Sequence, residues 1–303
     1  LGARGSWSGG YGRALIRWIA LAAAACTLSP AAIARDRPAD GQPQLAVNIS
    51  ALDRDMVMIG GGIGLIPDYE GSSHYILVPF GGIRGNIRGI SFASSGTQLS
   101  VDVMPQRVLS RAATIHLGPV INLNLNRYFR AYDARVRALG RRDPAIEMGG
   151  YVELSANGVL TGTHDLLSAR LSWMHDISDV HDSYIFSPSV NYATPLTRHA
   201  YMEVSGIATF VGDGYARTYF AVDETGSRAS GLPLFPNPRG GLKSLGVNAV
   251  LHQSIEGGAL DGFGFYTALS YNRLQGDFAK SPIVSDAGNA DQWVGTVGLG
   301  YTF

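Results

Sequence analysis

Three His-Asp dipeptides, His164-Asp165, His175-Asp176 and His181-Asp182, come closest in this chain to the pattern of a metal site. Imidazole nitrogens and carboxylate oxygens hold zinc when they converge to about 2 Å from the ion. Two of the three pairs flank one short connection, 176–183, so convergence there is conceivable. The same residues also read as polar strand ends and turn formers, a role that Asp fills readily. That second reading is preferred, and neither a metal nor a cofactor is expected. A serine hydrolase needs a base in hydrogen-bond reach of its nucleophile. The chain has seven histidines and many serines but no Gly-x-Ser-x-Gly run. A hydrolase would therefore have to find a Ser or Asp beside a histidine on the wall of the fold. The run Gly60-Gly61-Gly62-Ile63-Gly64 is not followed by the lysine of a phosphate loop. Inside a strand such glycines relieve crowding or mark a bulge. The chain is read as non-enzymatic, with no catalytic residue assigned.

Two further stretches are rich in side chains able to bind something. Pro67-Asp68-Tyr69-Glu70-Gly71-Ser72 brings two carboxylates and a phenol into one short connection, and Thr218-Tyr219-Phe220 is followed by Gly231-Leu232-Pro233. Pro, Asp and Gly are also turn formers, so a structured hairpin accounts for the first stretch without a ligand.

The elements that must position these residues follow a period of two. In 291–303, Trp293, Val297, Leu299, Tyr301 and Phe303 share one parity, while Val294, Thr296, Gly298, Gly300 and Thr302 share the other. Segments of about ten residues with this alternation are the mark of a transmembrane β-barrel, apolar toward lipid and small or polar toward the lumen. Similar segments cover 112–126, 146–156, 165–175, 184–193, 199–210, 243–253 and 263–275. The stretches 56–66, 73–84, 87–94 and 97–104 alternate less cleanly, with Arg84-Gly85-Asn86-Ile87 read as a tight turn. The count is 12 strands, subject to change if 87–104 is one long bulged strand. Arg170, Glu147, Glu153, Glu203 and Arg273 are placed on the lumen side. If Phe303 ends in the periplasm, the three longest connections all fall at the outer end, as bacterial barrels require. A periplasmic β-sandwich would show the same parity with the apolar face inward.

The start of the chain reads as an export signal. Arg13 and Arg17 precede the apolar run Trp18 to Cys26, and Ala32-Ile33-Ala34 is a small-x-small cleavage site. Residues 1–34 are thus expected to be removed after Ala34, with 35–55 a periplasmic segment and 56–303 the barrel. The alternative, a lipoprotein acylated at Cys26, is disfavoured because leucine is missing three positions before it. Cys26 is the only cysteine, so the mature chain can form no disulfide. Removing three arginines from the 24 basic residues leaves 21 against 24 acidic ones. That balance argues against a nucleic-acid partner.

Taken together, the motifs resemble the MipA/OmpV family of Gram-negative outer-membrane proteins, named for an MltA-interacting protein. The resemblance runs from about Met56 to Phe303. It rests on Ile66 to Ser72, Thr218-Tyr219-Phe220 with Ser230-Gly231-Leu232-Pro233, Gly241 to Gly246, Tyr271 to Asp277, Ser281 to Val284 and Ala290 to Trp293. The segment Asn126-Arg127-Tyr128-Phe129-Arg130 departs from the family pattern. Trp293, Leu299, Tyr301 and Phe303 look like the terminal signal read by the barrel-assembly machinery. The resemblance implies a cell outer membrane location, embedded in outer-membrane lipid. It also implies a scaffold linking a murein lytic transglycosylase to a peptidoglycan synthase; the alternative is a pore for small solutes. The topology, however, puts the shared loop motifs at the outer end, away from a periplasmic partner.

Overall fold

A strand that meets lipid on one side and water on the other must alternate in polarity, and the computed structural model of the chain is built from such strands. It describes residues 55–303 except 105–106, 111–112, 163 and 256–261. The expected signal peptide, with Ala32 and Ala34, and the 35–54 part of the following segment lie outside the described residues. The strands are β1 (Met56–Pro67), β2 (Tyr75–Ile87), β3 (Ile90–Ser95), β4 (Gln98–Asp102), β5 (Arg107–Ser110) and β6 (Ala113–Asn124). They continue with β7 (Ala145–Asn157), β8 (Leu166–Asp176), β9 (Tyr184–Pro195), β10 (Ala200–Val211), β11 (Gly241–Ser254), β12 (Gly262–Leu274) and β13 (Asp291–Thr302).

Neighbours in sequence pair antiparallel, and β1 pairs with β13 from Met58↔Thr302 to Leu65↔Gly295, which closes the ring. Both β4 and β5 pair with β6, through Gln98↔Asn122 and Arg107↔Ile115. They are two halves of one wall strand whose ladder breaks between Asp102 and Arg107. The barrel therefore has twelve wall strands, the number read from the sequence. The 87–104 stretch is not one long strand. It is the β3–β4 hairpin, turning at Gly96-Thr97, and the irregularity comes after it.

One turn differs from expectation. Arg84-Gly85-Asn86-Ile87 is strand, paired through Ile87↔Ile90, and the chain reverses at Arg88-Gly89 with φ values of 53° and 80°. A two-residue hairpin matching strand twist needs positive φ at both positions, and Asn86 Oδ1 accepts from the Gly89 amide at 3.0 Å to fix it. Gly85 lies against the partner strands, where a Cβ would fall 2.6 Å from the Met56 carbonyl oxygen.

The outward parity is apolar and bare. Leu77 is 70% exposed, and Ile63, Val190, Val247, Leu299 and Phe303 share its situation. In water such a belt would be untenable; in a bilayer it is the lipid-facing surface. Arg273 corrects one expectation. It has the outward parity of Tyr271 and ion-pairs with Asp291 at 2.7 Å, so it does not line the lumen. The sheet ends sort by length: turns such as 88–89 and 196–199 at one end, and 125–144, 212–240 and 275–290 at the other. By that asymmetry the long loops face outward.

Those long loops carry five short helices: α1 (Ala134–Ala138), α2 (Asp213–Phe220), α3 (Glu224–Ser230), α4 (Gly276–Lys280) and α5 (Pro282–Ser285). The buried apolar residues of the molecule collect there. One cluster sets Tyr215, Ala216, Tyr219 and Phe220 of α2 against Val120, Met174, Ile185, Val211 and Leu274 of the wall, with Phe278 and Val284 from the last loop. A second holds Tyr69, Ala131, Val136, Val222, Leu232, Ile283 and Ala287. The wall residues come from β6, β8, β9, β10 and β12, so α2 is held inside the barrel mouth from several sides.

Candidate functional site

The cap over the mouth is the most elaborate polar construction in the molecule. Gly212 follows β10 as the N-cap of α2, Asp213 opens the helix, and its positions 215, 216, 219 and 220 form one buried face. That face brings Tyr215 to Glu70, whose Oε2 accepts from Tyr215 Oη at 2.9 Å. Lys243 Nζ lies 2.5 Å from Glu70 Oε1, and Asn126 Oδ1 accepts from the Glu70 amide at 3.0 Å. Burial, and then the Glu70 charge, push the Tyr215 phenol up, so it stays a neutral donor. A neutral phenol, a carboxylate and an ammonium satisfy one another in a site largely screened from water.

Below this lies a second knot. Glu147, on the inward face of β7, has no exposed side-chain surface, and neither has His181. Asn122 donates to Glu147 at 2.7 Å, Asn124 at 2.8 Å, and His181 Nε2 lies 3.1 Å away. His181 packs edge-on to Tyr215, with ring centroids 5.1 Å apart. The carboxylate of Asp176 holds the 177–183 loop beneath α2 through the amides of Ser178, His181 and Asp182.

Arg127 is 2% exposed, with φ of 60° and no carboxylate partner among the described residues. It donates to the Tyr219 carbonyl at 3.2 Å and the Gly140 carbonyl at 3.0 Å. Arg142 donates to the Thr218 carbonyl at 2.8 Å. The Thr218 and Tyr219 carbonyls are among the last of α2, where the helix dipole favours a cation. Burial, then Arg142, lowers the Arg127 guanidinium to about 9, which leaves it cationic at neutral pH.

The motif residues read from the sequence belong to this cap. Pro67 ends β1, and Asp68 accepts from the Tyr132 amide at 2.7 Å. Tyr69 Oη donates toward the carbonyls of Ala287 at 3.2 Å and Ile283 at 3.4 Å. Gly71 donates its amide to Gln292 Oε1 at 3.1 Å, and a Cβ there would meet Val284. Ser72 bridges to Gly288. Phe220 lies edge-on to Phe278, Gly231 takes the left-handed φ of 72° that ends α3, and Leu232 is 2% exposed. Pro233 is exposed. Sequence reasoning missed Asn126, Lys243 and Tyr215 as partners. A signal for the last was present, since Tyr215, Ala216, Tyr219 and Phe220 are spaced as one helix face.

In the lumen below, Arg84 of β2 faces Tyr201 and Glu203 of β10, five ring positions away, and Tyr201 donates to Glu203 at 2.8 Å. The ring of Tyr266 lies over the glycines of the closing seam, 3.2 Å from where a Gly60 Cβ would be and 2.5 Å from a Gly298 Cβ. The glycine run is thus inner-wall space occupied by an aromatic ring.

Two of the three His-Asp pairs meet, with His175 Nε2 3.6 Å from Asp182 Oδ1 and Asp176 accepting from the His181 and Asp182 amides, but the third lies apart and the imidazoles do not share one centre. Asp165 caps the 158–165 turn, His175 stacks on Trp173, and His181 is in the cap. Among the described residues no group of three or more His, Cys, Asp or Glu could hold a metal ion. His116 meets the spacing of a hydrolase, with Nδ1 at 2.6 Å from Asp102 and Nε2 at 3.2 Å from Ser155. Ser155, however, sits mid-strand between Thr114 and Ser168, paired on both sides. Its backbone is thus part of the wall ladder and not of a loop that could present an oxyanion hole.

Among solved structures the chain is similar to the NanC porin, at 10% identity and a TM-score of 0.44 over 81% of this chain and 98% of that one. It is also similar to an outer-membrane channel from Pseudomonas putida F1, at 10% identity and 0.42, over 82% and 95%. No curated protein sequence matches it. The family described as MltA-interacting protein MipA matches residues 59–303. That span takes in nearly all of the wall and every cap loop, and the chain, an outer-membrane β-barrel, belongs to this family.

Proposed function

We propose that the protein is a non-enzymatic scaffold: a capped barrel that holds a murein lytic transglycosylase at its short-turn rim and, through it, a peptidoglycan synthase. The observation that carries this is α2, buried in the mouth with Tyr215, Ala216, Tyr219 and Phe220 each at most 3% exposed. A barrel plugged by its own core offers its rim rather than its bore. The loop motifs then serve to stabilise the cap, which removes the difficulty that they lie far from a periplasmic partner. The family name supports the partner class.

The test is twofold. Crosslinking in intact cells followed by purification of the barrel is expected to recover a lytic transglycosylase bound at the short-turn rim, at the 88–89 and 196–199 turns among others. The purified barrel in planar bilayers is expected to show no steady conductance. Steady conductance without a recovered murein enzyme would replace this reading with a pore. The polar lumen with Arg84, Tyr201 and Glu203 favours that second reading, and it would require the cap to open.

A further inference from the structure

The wall is not of even height. β2 pairs with β1 from Met56↔Asn86 to Pro67↔Tyr75, but with β3 only through Arg84 to Ile87. The β3–β4 hairpin turns back at Gly96-Thr97, where the Thr97 carbonyl accepts from the Leu123 amide of β6 at 3.3 Å. β2 and β6 do not pair with each other. Above that turn the wall lacks the width of two strands, about 10 Å at the usual spacing. Loop 125–144 crosses over this gap as a lintel. Asn126 Oδ1 accepts from the Glu70 amide, and the Tyr132 ring stacks on His74 with centroids 4.3 Å apart.

The edge of β2 that borders the gap is bare. The Ile83 amide points to the β3 side, where it donates to Ser94 Oγ at 2.8 Å. By the alternation of an antiparallel strand, Leu77, Pro79 and Gly81 turn their backbones the same way. Among the described residues none of the three bonds across the gap. Pro79 has no N–H, and a proline in mid-edge stops a further strand from adding there. Bare backbone at the depth of lipid is tolerated only where it lines a cavity. Leu77, Leu99, Ile121 and Leu123, all exposed and outward, place this edge within the apolar belt.

The inner lip of the gap differs from the rest of the lumen. Ile76, Val78 and Phe80 have the inward parity, are partly exposed, and join neither buried cluster of the cap. Elsewhere on the wall inward positions carry Glu153, Arg170, Asn191 and Glu203. Phe80 meets Tyr266 edge-on, with centroids 5.8 Å apart. β2 is thus apolar on both faces where the wall is open.

We propose that the gap between β2 and β6 is a lateral portal, through which a small apolar molecule passes between the bilayer and the inner surface formed by Phe80 and Tyr266. This role goes beyond the scaffold reading and does not depend on it, since the portal opens through the side of the wall while α2 stays seated in the mouth.

The test uses the whole barrel in phosphatidylcholine vesicles, with a trifluoromethyl phenyl diazirine as apolar photoprobe and mass spectrometry to map the labelled residues. Light is expected to label Ile76, Val78 and Phe80 as well as the lipid-facing Leu77. Excess toluene is expected to lower the inner label about fivefold or more while the outer label holds. Val78→Lys, which sets on the inner lip a charge that an apolar molecule would have to desolvate, is expected to lose the inner label to a similar extent. Ser205→Lys, inward on β10, is expected to keep it. Label confined to the outer belt would overturn the proposal. So would inner label that toluene does not reduce, or equal inner label in wild type and Val78→Lys. The gel mobility shift on boiling reports whether each variant is a folded barrel. The toluene competition needs wild type alone and keeps the test decisive if Val78→Lys does not fold.

Discussion

Glu147 is a carboxylate with no solvent and three donors, Asn122, Asn124 and His181. Removing one partner of such a buried pair leaves a charge short of solvation, at a cost of about 3–5 kcal/mol. His181→Ala is accordingly expected to lower the temperature at which the folded gel band converts to the unfolded one, whereas truncating exposed His199 is not. Asp165 gives a pH dependence of known sign. The amides of Thr161, Leu160 and Val159 donate to its carboxylate, Thr161 contributing most, and hold it well below the usual carboxylate range. The folded-state pKa is depressed, so the stabilisation is full above the unfolded value of about 4 and drains away as pH falls toward the folded one. Hydrogen exchange in the 158–165 turn should therefore speed up between pH 5 and 3 beyond its intrinsic trend in wild type, and Asp165→Asn should abolish that extra dependence. An unchanged profile in the variant would mean that another group sets it.

Among the elements, α2 decides whether the mouth is shut. Gly214 is where it comes closest to the 177–183 loop, and a Cβ there would lie 2.1 Å from the His181 carbonyl oxygen. Gly214→Ala should lift the helix and expose 212–240 to limited proteolysis, while Arg217→Ala, on the exposed face, should leave it protected. Equal cleavage of both would mean that α2 is not held by that contact. The strands themselves were legible in the sequence because a membrane wall forces sidedness on every residue, and Trp293 to Phe303 show it without a break that matters. The Arg88-Gly89 turn escaped because it lacks the Asn-Gly or Asp-Gly signature. β5 escaped because the ladder breaks before it, and the helices other than α2 because one or two turns without a buried i, i+1, i+4, i+5 face are too short to establish a period. The cap site was legible only in pieces: Asp68, Tyr69 and Glu70 stand together in sequence, yet they bond to Tyr132, Ala287 and Tyr215, in three separate loops.

At the scale of the whole molecule, the two ends of the barrel differ, with a folded cap of long loops outward and short turns inward. The lining of Arg84, Glu203, Glu153 and Arg170 lies below α2, which packs against the wall at the mouth. The seam carries a further implication. β13 is the last wall strand to leave the ribosome and β1 the first, so the ring cannot close on a chain that stops early. Tyr69 to Ala287, Gly71 to Gln292 and Ser72 to Gly288 join the same two extremities a second time, at the outer end of the seam. A truncated chain forfeits both joints together and is left with a gaping edge and an unseated lid. The loop that looked like a ligand site thus joins the first and last wall strands a second time.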